Sequence, residues 1–445
     1  MNDHVLDAEA ITPADSAKFR QCSVCSIPPV LKILSTISGV GIIIHSASGC
    51  AASFADIDRS FRFGLKRRGK PLKKAILVNT RLNEMDHVYG AEQKLYTTIG
   101  DTIKQHSPKA LFVAASCGSG INGCDIQQVA WPAAQKFNIP VIPMVCEVFV
   151  TKKWGSGLDF KKYGNFQKIF HPAGSVKNTP FFNVIDFSGS ETVKKILNET
   201  GFNWNFIAQY EPIDNWSAMG NADLTFCVST DHLSLFIAEH VALNHGVPYV
   251  KLPGFYGFTQ SDQCLNAFGQ WLSAEDTFAN LIKKYHAEYN NTLTKLQRQL
   301  RQLEVLPILS NRNDWNKLIP LLSTLGVARP DIDALKLTLR RMSHFNLVKP
   351  VNTLKPALII SRHHSYAAQN AMTHCPSIWL GDDCDIAGYP GTIRLGETIL
   401  EKISNPYFFK RMARYPVHPY KKERTDDYPE KYEHGNKTVM PAGVF

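Results

Sequence analysis

The chain has 445 residues, 44% of them hydrophobic, more than one core usually accommodates and enough to fill two or three. Net charge is +10, but the basic residues are scattered except in 66–74 (KRRGKPLKK) and in the tail from Lys410 to Lys437, and no recognition motif accompanies them, so nucleic acid is not an expected partner. No run approaches the roughly 18 apolar residues of a membrane helix, and MNDHVLDAEA lacks the basic-then-apolar pattern of a signal peptide. A cytosolic protein with no membrane association is expected, and its ten cysteines are read as thiols, metal ligands or small buried hydrophobes rather than disulfides.

Short β-branched runs alternate with helix-length segments along the chain. Strands are expected at Gly41–Ile44, Ala75–Val78, Ala110–Ala114, Pro140–Val145, Phe182–Asp186, Asn205–Gln209, Leu224–Val228, Val247–Leu252, Val305–Leu309 and Ala357–Ser361. This alternation predicts an α/β fold of doubly wound parallel sheets with helices on both faces. Trp154–Pro180, rich in Gly, Lys, Asn and Pro, is expected to be a connector, and Ala274 to about Glu304 a long polar linking helix. The domains expected are 1–172, 173–273 and 274–445, the last ending in a basic tail too rich in Pro and charge to fold alone and suited to wrapping a partner.

Three cysteines stand out. Cys50 closes GIIIHSASGC, where a buried strand runs into a small-residue turn from which a thiolate can face a large inorganic group. Cys117 repeats the design in ALFVAASCGSGINGCDI, whose glycines permit close approach and offer N–H donors to sulfides. Cys25 precedes both, with Cys22 one helical turn away. The plainer alternative is three buried free cysteines. Binding sites in parallel sheets gather at the carboxyl ends of strands, where Cys50, Cys117, Cys146 and Cys227 are expected to fall.

These residues carry a resemblance to a family. HSASGCAASF, TRLNEMDHVYGAEQKL (Thr80–Leu95), SCGSGINGCDI (Ser116–Ile126), PVIPMVCEVF (Pro140–Phe149) and the Cys25 to Cys50 interval occur in the order of component 1 subunits of the nitrogenase superfamily. Over most of its length the chain resembles an α-type subunit. The resemblance implies three Rossmann-like domains and a heterodimeric core in which Cys25, Cys50 and Cys117 hold an iron–sulfur cluster at the subunit interface. That cluster would be P-cluster-like [8Fe–7S] or [4Fe–4S], and Cys25 is preferred to Cys22 because its distance from Cys50 suits the family pattern. Cys227, in ADLTFCVSTDHLSLF, matches the cysteine by which α-type subunits hold a larger catalytic iron–sulfur cofactor, with a buried core cysteine as the alternative. Ser229, Thr230, Asp231 and His232 could then hydrogen-bond to cofactor sulfides.

The departures from the family pattern bear on substrate. Where nitrogenase α subunits place a glutamine and a histidine over the cofactor, an ungapped count along CEVFVTKKWGSGLDF finds Trp154 and Leu158, which makes that face apolar. The C-terminal cofactor histidine has no clear counterpart: SIWLGDDCDIAGYPGTIRLG offers Asp382, Asp383, Cys384 and Asp385, with Cys384 either a second cofactor ligand or a loop cysteine. This combination most resembles the methylthio-alkane reductases, which implies reductive cleavage of carbon–sulfur bonds in small thioethers. The implied partners are a homologous β-like (K-type) subunit, an ATP-hydrolysing [4Fe–4S] reductase protein and a small-molecule substrate, in an α2β2 heterotetramer. The chain itself has no G-x-x-x-x-G-K-[ST] phosphate loop.

Candidate proton donors are His45, His87, His232, His363 and His364, each equally readable as structural. Cys124 stands where the SCGSGINGCDI turn would usually carry an acidic residue, and its role is open; Cys264 and Cys375 are read as structural. Two other functions stay open. One is a scaffold on which a nitrogenase-type cofactor is assembled; the other is a tetrapyrrole-reducing homologue with a simpler [4Fe–4S] cluster.

Overall fold

Apolar runs with no polar alternation suit strands covered on both faces, and here they build three all-parallel sheets. The structure is a computed structural model that describes residues 31, 34–116, 118–119, 123–144, 179–186, 189–228, 232–309, 312–327, 356–361, 375–380 and 384–405. The expected connector from Trp154 lies outside these residues up to 178, as does the whole basic tail from Lys410.

The first sheet comprises β1 (Val40–His45), β2 (Ile76–Asn79), β3 (Ala110–Ala115) and β4 (Val141–Met144), in the order β2-β1-β3-β4. Its helices are α1 (Phe54–Arg67), α2 (Glu84–Tyr89), α3 (Glu92–His106) and α4 (Ile126–Phe137). Successive side chains of a strand point to opposite faces, and both faces of this sheet are apolar. Ile43, Leu111 and Val113 pack with Leu95 and Ile99 of α3 and Ile126 and Val129 of α4. Ile42, Ile44, Phe112 and Ala114 belong to a second core, which extends to Ile185, Ile207 and Cys227.

The second sheet, in the order β6-β5-β7-β8, comprises β5 (Phe182–Asp186), β6 (Trp204–Ala208), β7 (Leu224–Cys227) and β8 (Tyr249–Lys251). It is accompanied by α5 (Glu191–Asn198), α6 (Ile213–Ser217) and α7 (His232–His245). Helices α8 (Gly257–Leu272) and α9 (Glu275–Leu300) follow. The 26 residues of α9 fall in the segment where a linking helix is expected. The third sheet, β11-β10-β9, is formed by β9 (Val305–Ile308), β10 (Leu358–Ser361) and β11 (Ser377–Trp379), with α10 (Arg312–Thr324) after β9 and α11 (Gly388–Ser404) after β11. The chain groups into two compact units, residues 1–255 with 263–281 and residues 256–262 with 282–445. The first unit holds two of the sheets and the second holds the third.

The basic run 66–74 is only partly the solvated arm that its composition suggests. Arg68 and Lys70 turn inward: the guanidinium of Arg68 lies 4.1 Å from the Tyr210 ring centroid, and Lys70 Nζ donates to Glu211 Oε1 at 2.7 Å and to the Tyr210 carbonyl at 2.8 Å. Lys194 Nζ reaches the same carboxylate at 2.6 Å. Burial alone would push Glu211 up, but the hydrogen bonds from Lys194 and Lys70 hold it below the usual carboxylate range. Tyr210 also stacks on Phe61, with centroids 5.9 Å apart, a fit that needs Gly64 because any Cβ there would run into the phenol.

Aromatic side chains fill the core beside the second sheet. Phe268 is fully buried, 4.6 Å between centroids from Phe226, 5.5 Å from Trp204 and 5.9 Å from Phe278. Truncating it removes buried area and leaves a cavity among rigid rings. Phe268→Ala is expected to cost about 3–5 kcal/mol, read as a lowered denaturation midpoint with the secondary structure retained.

Candidate iron–sulfur sites at the strand ends

In the first sheet the chain passes from β1 to β2 on one side and returns to β3 on the other. The loops leaving the carboxyl ends of β1 and β3 therefore diverge, which is where α/β sheets open a binding crevice. Cys50 sits there, half-buried, in the short 3-10 turn Ser48–Ala51 that follows β1, its N–H donating to the Ala47 carbonyl at 3.1 Å. The turn is pinned to the end of β2. Ser46 N–H donates to Thr80 Oγ1 at 3.1 Å, and the Asn79 amide donates to Ser46 Oγ at 3.0 Å and to the Ala47 carbonyl at 3.1 Å. Among the described residues, a Cβ placed on the neighbouring Gly49 would meet no atom within 4 Å.

Across the crevice, Ser116 N–H donates to the His45 carbonyl at 3.3 Å, extending the pairing of Ala115 with His45. Ser116 and Ser119 clasp each other around the position of Cys117: each N–H donates to the other's hydroxyl oxygen, at 2.9 and 3.2 Å. Cys117 itself, with Cys22 and Cys25, lies outside the described residues. Among the described residues no three His, Cys, Asp or Glu side chains converge to hold a metal.

Two groups at this crevice were hidden in the sequence as a pair. His45, the last residue of β1, is fully buried, and its Nε2 lies 3.3 Å from the Sγ of Cys124, 79 residues away. Burial lowers His45 to about 4 and raises Cys124 to about 11, with the Glu92 carboxylate adding to the latter, so both are neutral near pH 7. His45 Nδ1 is buried with no hydrogen-bond partner among the described residues. A cluster sulfur or thiolate beside it would satisfy that nitrogen, and soft thiolates from strand-end turns are ligands that iron accepts, so the residues present fit an iron–sulfur group. His87, on α2, is half-buried, and its ring lies 3.6 Å from where a Cβ on Gly118 would stand.

The second sheet repeats the reversal between β5 and β7. Cys227 closes β7 with 1% exposure; Ile185 of β5 and Lys251 of β8 are its register partners. Its Sγ lies 3.4 Å from the Ser234 carbonyl in the first turn of α7, and the surrounding core includes Ile185, Ile237, Ala238 and Val241. His232 opens α7. Asp186, which pattern reading missed as a site group, ends β5 on the same sheet edge, 7% exposed, its carboxylate accepting from the Ser190 N–H at 3.4 Å. Cys264 is fully buried, and burial together with the Asp186 charge pushes its thiol well up.

Trp154, Leu158, Cys146, Ser229, Thr230, Asp231, His363, His364, Asp382 and Asp383 lie outside the described residues. Cys384 is half-buried just before α11, its Sγ 4.0 Å from the Trp379 carbonyl. It belongs to the second compact unit, whereas Cys227 belongs to the first. Cys375 is buried and donates to the Pro356 carbonyl at 3.2 Å, as suits a structural thiol. No helix among the described residues is long and apolar enough to cross a membrane.

The family model for nitrogenase component 1 type oxidoreductases matches residues 29–404. This chain belongs to that family. Among curated members, the nitrogenase iron-molybdenum cofactor biosynthesis protein NifE of Nostoc sp. is 22% identical over 426 residues, covering 86% of this chain and 83% of its own. The nitrogenase molybdenum-iron protein alpha chain of Methanosarcina barkeri is 33% identical over 276 residues, covering 58% of this chain and 50% of its own. The solved structure "Nitrogenase Cp1 at pH 5" superposes with a TM-score of 0.72 at 18% identity, over 91% of this chain and 92% of that one. This component 1 family chain therefore shares the fold of parallel-sheet α/β domains, and the chain is a nitrogenase component 1-like subunit.

The neutral His45 makes the family chain sensitive to acid. Its folded pKa, about 4, lies below the 6.5 of the unfolded chain, so the unfolded state binds more protons between those values and stability falls as pH drops through that window. His45→Asn, which cannot titrate, is expected to remove on the order of 3 kcal/mol of that fall, read as the difference between the two proteins' denaturation midpoints across pH 7 to 4.

Proposed function

We propose that this chain is the cofactor-bearing α-type subunit of a nitrogenase-like reductase acting on small methylthio-alkanes. The observation that carries the proposal is Cys227: a buried thiol at the end of β7, where strand order reverses, with an apolar wall and a buried carboxylate on the same edge. Cys227 would anchor a nitrogenase-type iron–sulfur cofactor, and Cys25, Cys50 and Cys117 would supply one subunit's share of an interface cluster, [8Fe–7S] or [4Fe–4S]. When bound, such a cofactor supplies electrons one at a time at low potential to a small substrate.

The chain's own residues bind, exclude water and move protons. Ile185, Ile237, Ala238 and Val241 keep the Cys227 thiol dry. Asp186, one residue past the register partner of Cys227, and His232, which opens α7, are the candidate proton carriers at that sheet edge. Trp154 and Leu158 would give the substrate face its apolar character, and Cys384 is the second-ligand candidate. Reductive cleavage of one carbon–sulfur bond consumes two electrons and two protons and releases a thiol and a hydrocarbon. The electrons would come from an ATP-hydrolysing [4Fe–4S] reductase protein, and a homologous β-like subunit would complete an α2β2 assembly in the cytosol. The chain would divide near residues 172 and 273 into a cluster domain, a cofactor domain and a third α/β domain.

A second reading is an assembly scaffold for the cofactor. It is favoured by the length of the match to NifE proteins, which reaches 88% of this chain and 87% of the relative from Rippkaea orientalis. Both readings need the same thiol. Cys227→Ala, isolated anaerobically with its co-purifying partner, is expected to lose the iron of the larger cofactor while the spectrum of the interface cluster persists; retention of both centres would refute the Cys227 assignment. With the reductase protein and ATP added, release of thiol from a small thioether supports the enzyme. High iron without turnover supports the scaffold, and a single four-iron cluster per dimer would point instead to a tetrapyrrole-type reductase.

A further inference from the structure

The basic run 66–74 has no part in the proposed chemistry, and the fold takes up only two of its cations, Arg68 and Lys70. The others extend a stripe along α1. Arg59, Arg62, Phe63, Lys66 and Arg67 stand three and four residues apart, so they share one helix face, and all five are exposed, whereas Ile57, Phe61 and Leu65 lie on the buried face. Lys73 and Lys74 are exposed in the connection between α1 and β2. Six outward cations thus accompany an exposed aromatic ring, against two carboxylates on the same segment, Asp56 and Asp58. We infer that this face is a docking surface for an acidic segment of a partner protein, whose carboxylates meet the lysines and arginines while an apolar side chain lies on Phe63. The inference goes beyond the reading above and needs neither Cys50 nor Cys227.

Three observations support it. The first is that the surface is already built. Asp58 accepts from Arg62 Nε at 2.9 Å and from the Ala75 N–H at 3.0 Å, which ties the connection carrying Lys73 and Lys74 back to α1. Underneath, Phe61 stacks on Tyr210, and Arg68 donates to the Gly189 carbonyl at 3.3 Å, so the helix is held from its buried side. A surface ordered in advance loses less freedom on binding. The second is the anchor. Phe63 is 47% exposed with the Arg67 guanidinium 4.6 Å from its ring centroid, and Leu72 of the connection is 62% exposed. Aromatic and arginine side chains are what interface anchors are made of. The third is the charge balance. Single exposed ion pairs contribute little, so affinity here depends on several acting together, and the positive excess selects a negative partner and speeds encounter. A nucleic-acid duplex would bring phosphates against Asp56 and Asp58 and nothing aliphatic to Phe63 and Leu72, and an anionic membrane asks for a wider apolar face than two side chains. An acidic protein segment suits both the charge and the ring.

The test is fluorescence anisotropy of a labelled peptide of repeated Glu-Glu-Leu titrated with the full-length chain, purified alone, at low and at high salt. Binding that weakens with salt is expected. Lys66→Glu combined with Lys74→Glu should weaken it about tenfold, because several exposed pairs are lost together. Lys104→Glu combined with Lys295→Glu makes the same change of charge at exposed positions on α3 and α9 and should leave binding near the wild-type value. Phe63→Ser should weaken binding while its dependence on salt stays the same. If charge reversal prevents folding, Lys66→Gln combined with Lys74→Gln gives the same comparison. Equal weakening in the two charge-reversed proteins overturns the inference, since the peptide then senses net charge alone, and so does failure of the peptide to bind. A DNA duplex or a phosphatidylserine vesicle bound more tightly than the peptide, and released by the same Lys66 and Lys74 changes, overturns it in favour of nucleic acid or membrane.

Discussion

The reversal of strand order in the two four-stranded sheets is the constraint on which both candidate sites depend. In β2-β1-β3-β4 and β6-β5-β7-β8 the chain steps outward on one side of its first strand and resumes on the other, so connections leave adjacent carboxyl ends in opposite directions. A crevice at that point needs no special residue to open it. The residues decide what it can hold: alanine, serine and glycine around Cys50 leave room, and Ser116 with Ser119 lock the facing turn through their own backbone. In the second sheet Cys227 and Asp186 end neighbouring strands. The third sheet runs β11-β10-β9 without a reversal among its three strands.

Burial then sets the chemistry of each group. The interior disfavours charge, so an isolated imidazole or thiol stays neutral, as His45, Cys124 and Cys264 do. Where charge is retained inside, it is matched, as in the contact of Glu211 with Lys70 and Lys194. Neutral polar groups follow the same accounting: the amide of Asn205 donates to Asn183 Oδ1 at 2.9 Å, and Asn183 donates to Thr225 Oγ1 at 3.0 Å, tying β6, β5 and β7 together.

The family fold is shared at 18–22% identity over most of the chain, as a parallel α/β architecture asks of its strands little more than buried apolar runs of the right length. Function is less well conserved by such a pattern. A cofactor biosynthesis protein and a molybdenum-iron protein alpha chain both stand among the relatives, so the shared fold does not by itself choose between functions.

Most of the fold was legible in the sequence because parallel strands buried on both faces must be continuous apolar runs. Phe182–Asp186 falls where the pattern sets it, and β1 to β10 each lie within a residue or two of an expected run. β11 escaped notice because three residues, Ser377–Trp379, are too short to carry a period, and Ala110–Ala115 shows how a longer run declares itself. Cysteines after strands likewise pointed to the strand ends. Pairing across the sheet could not be read in one dimension: nothing at Cys124 announces His45, nothing at Glu211 announces Lys70, and Asp186 reads as an ordinary strand-end aspartate until β7 is laid beside β5. The sequence by itself determined the elements, their parallel arrangement and the thiols at their ends, because these follow from local hydrophobic pattern. Only the tertiary structure decided strand order, and with it which buried groups share a crevice, because contacts between residues tens of positions apart arise from packing alone.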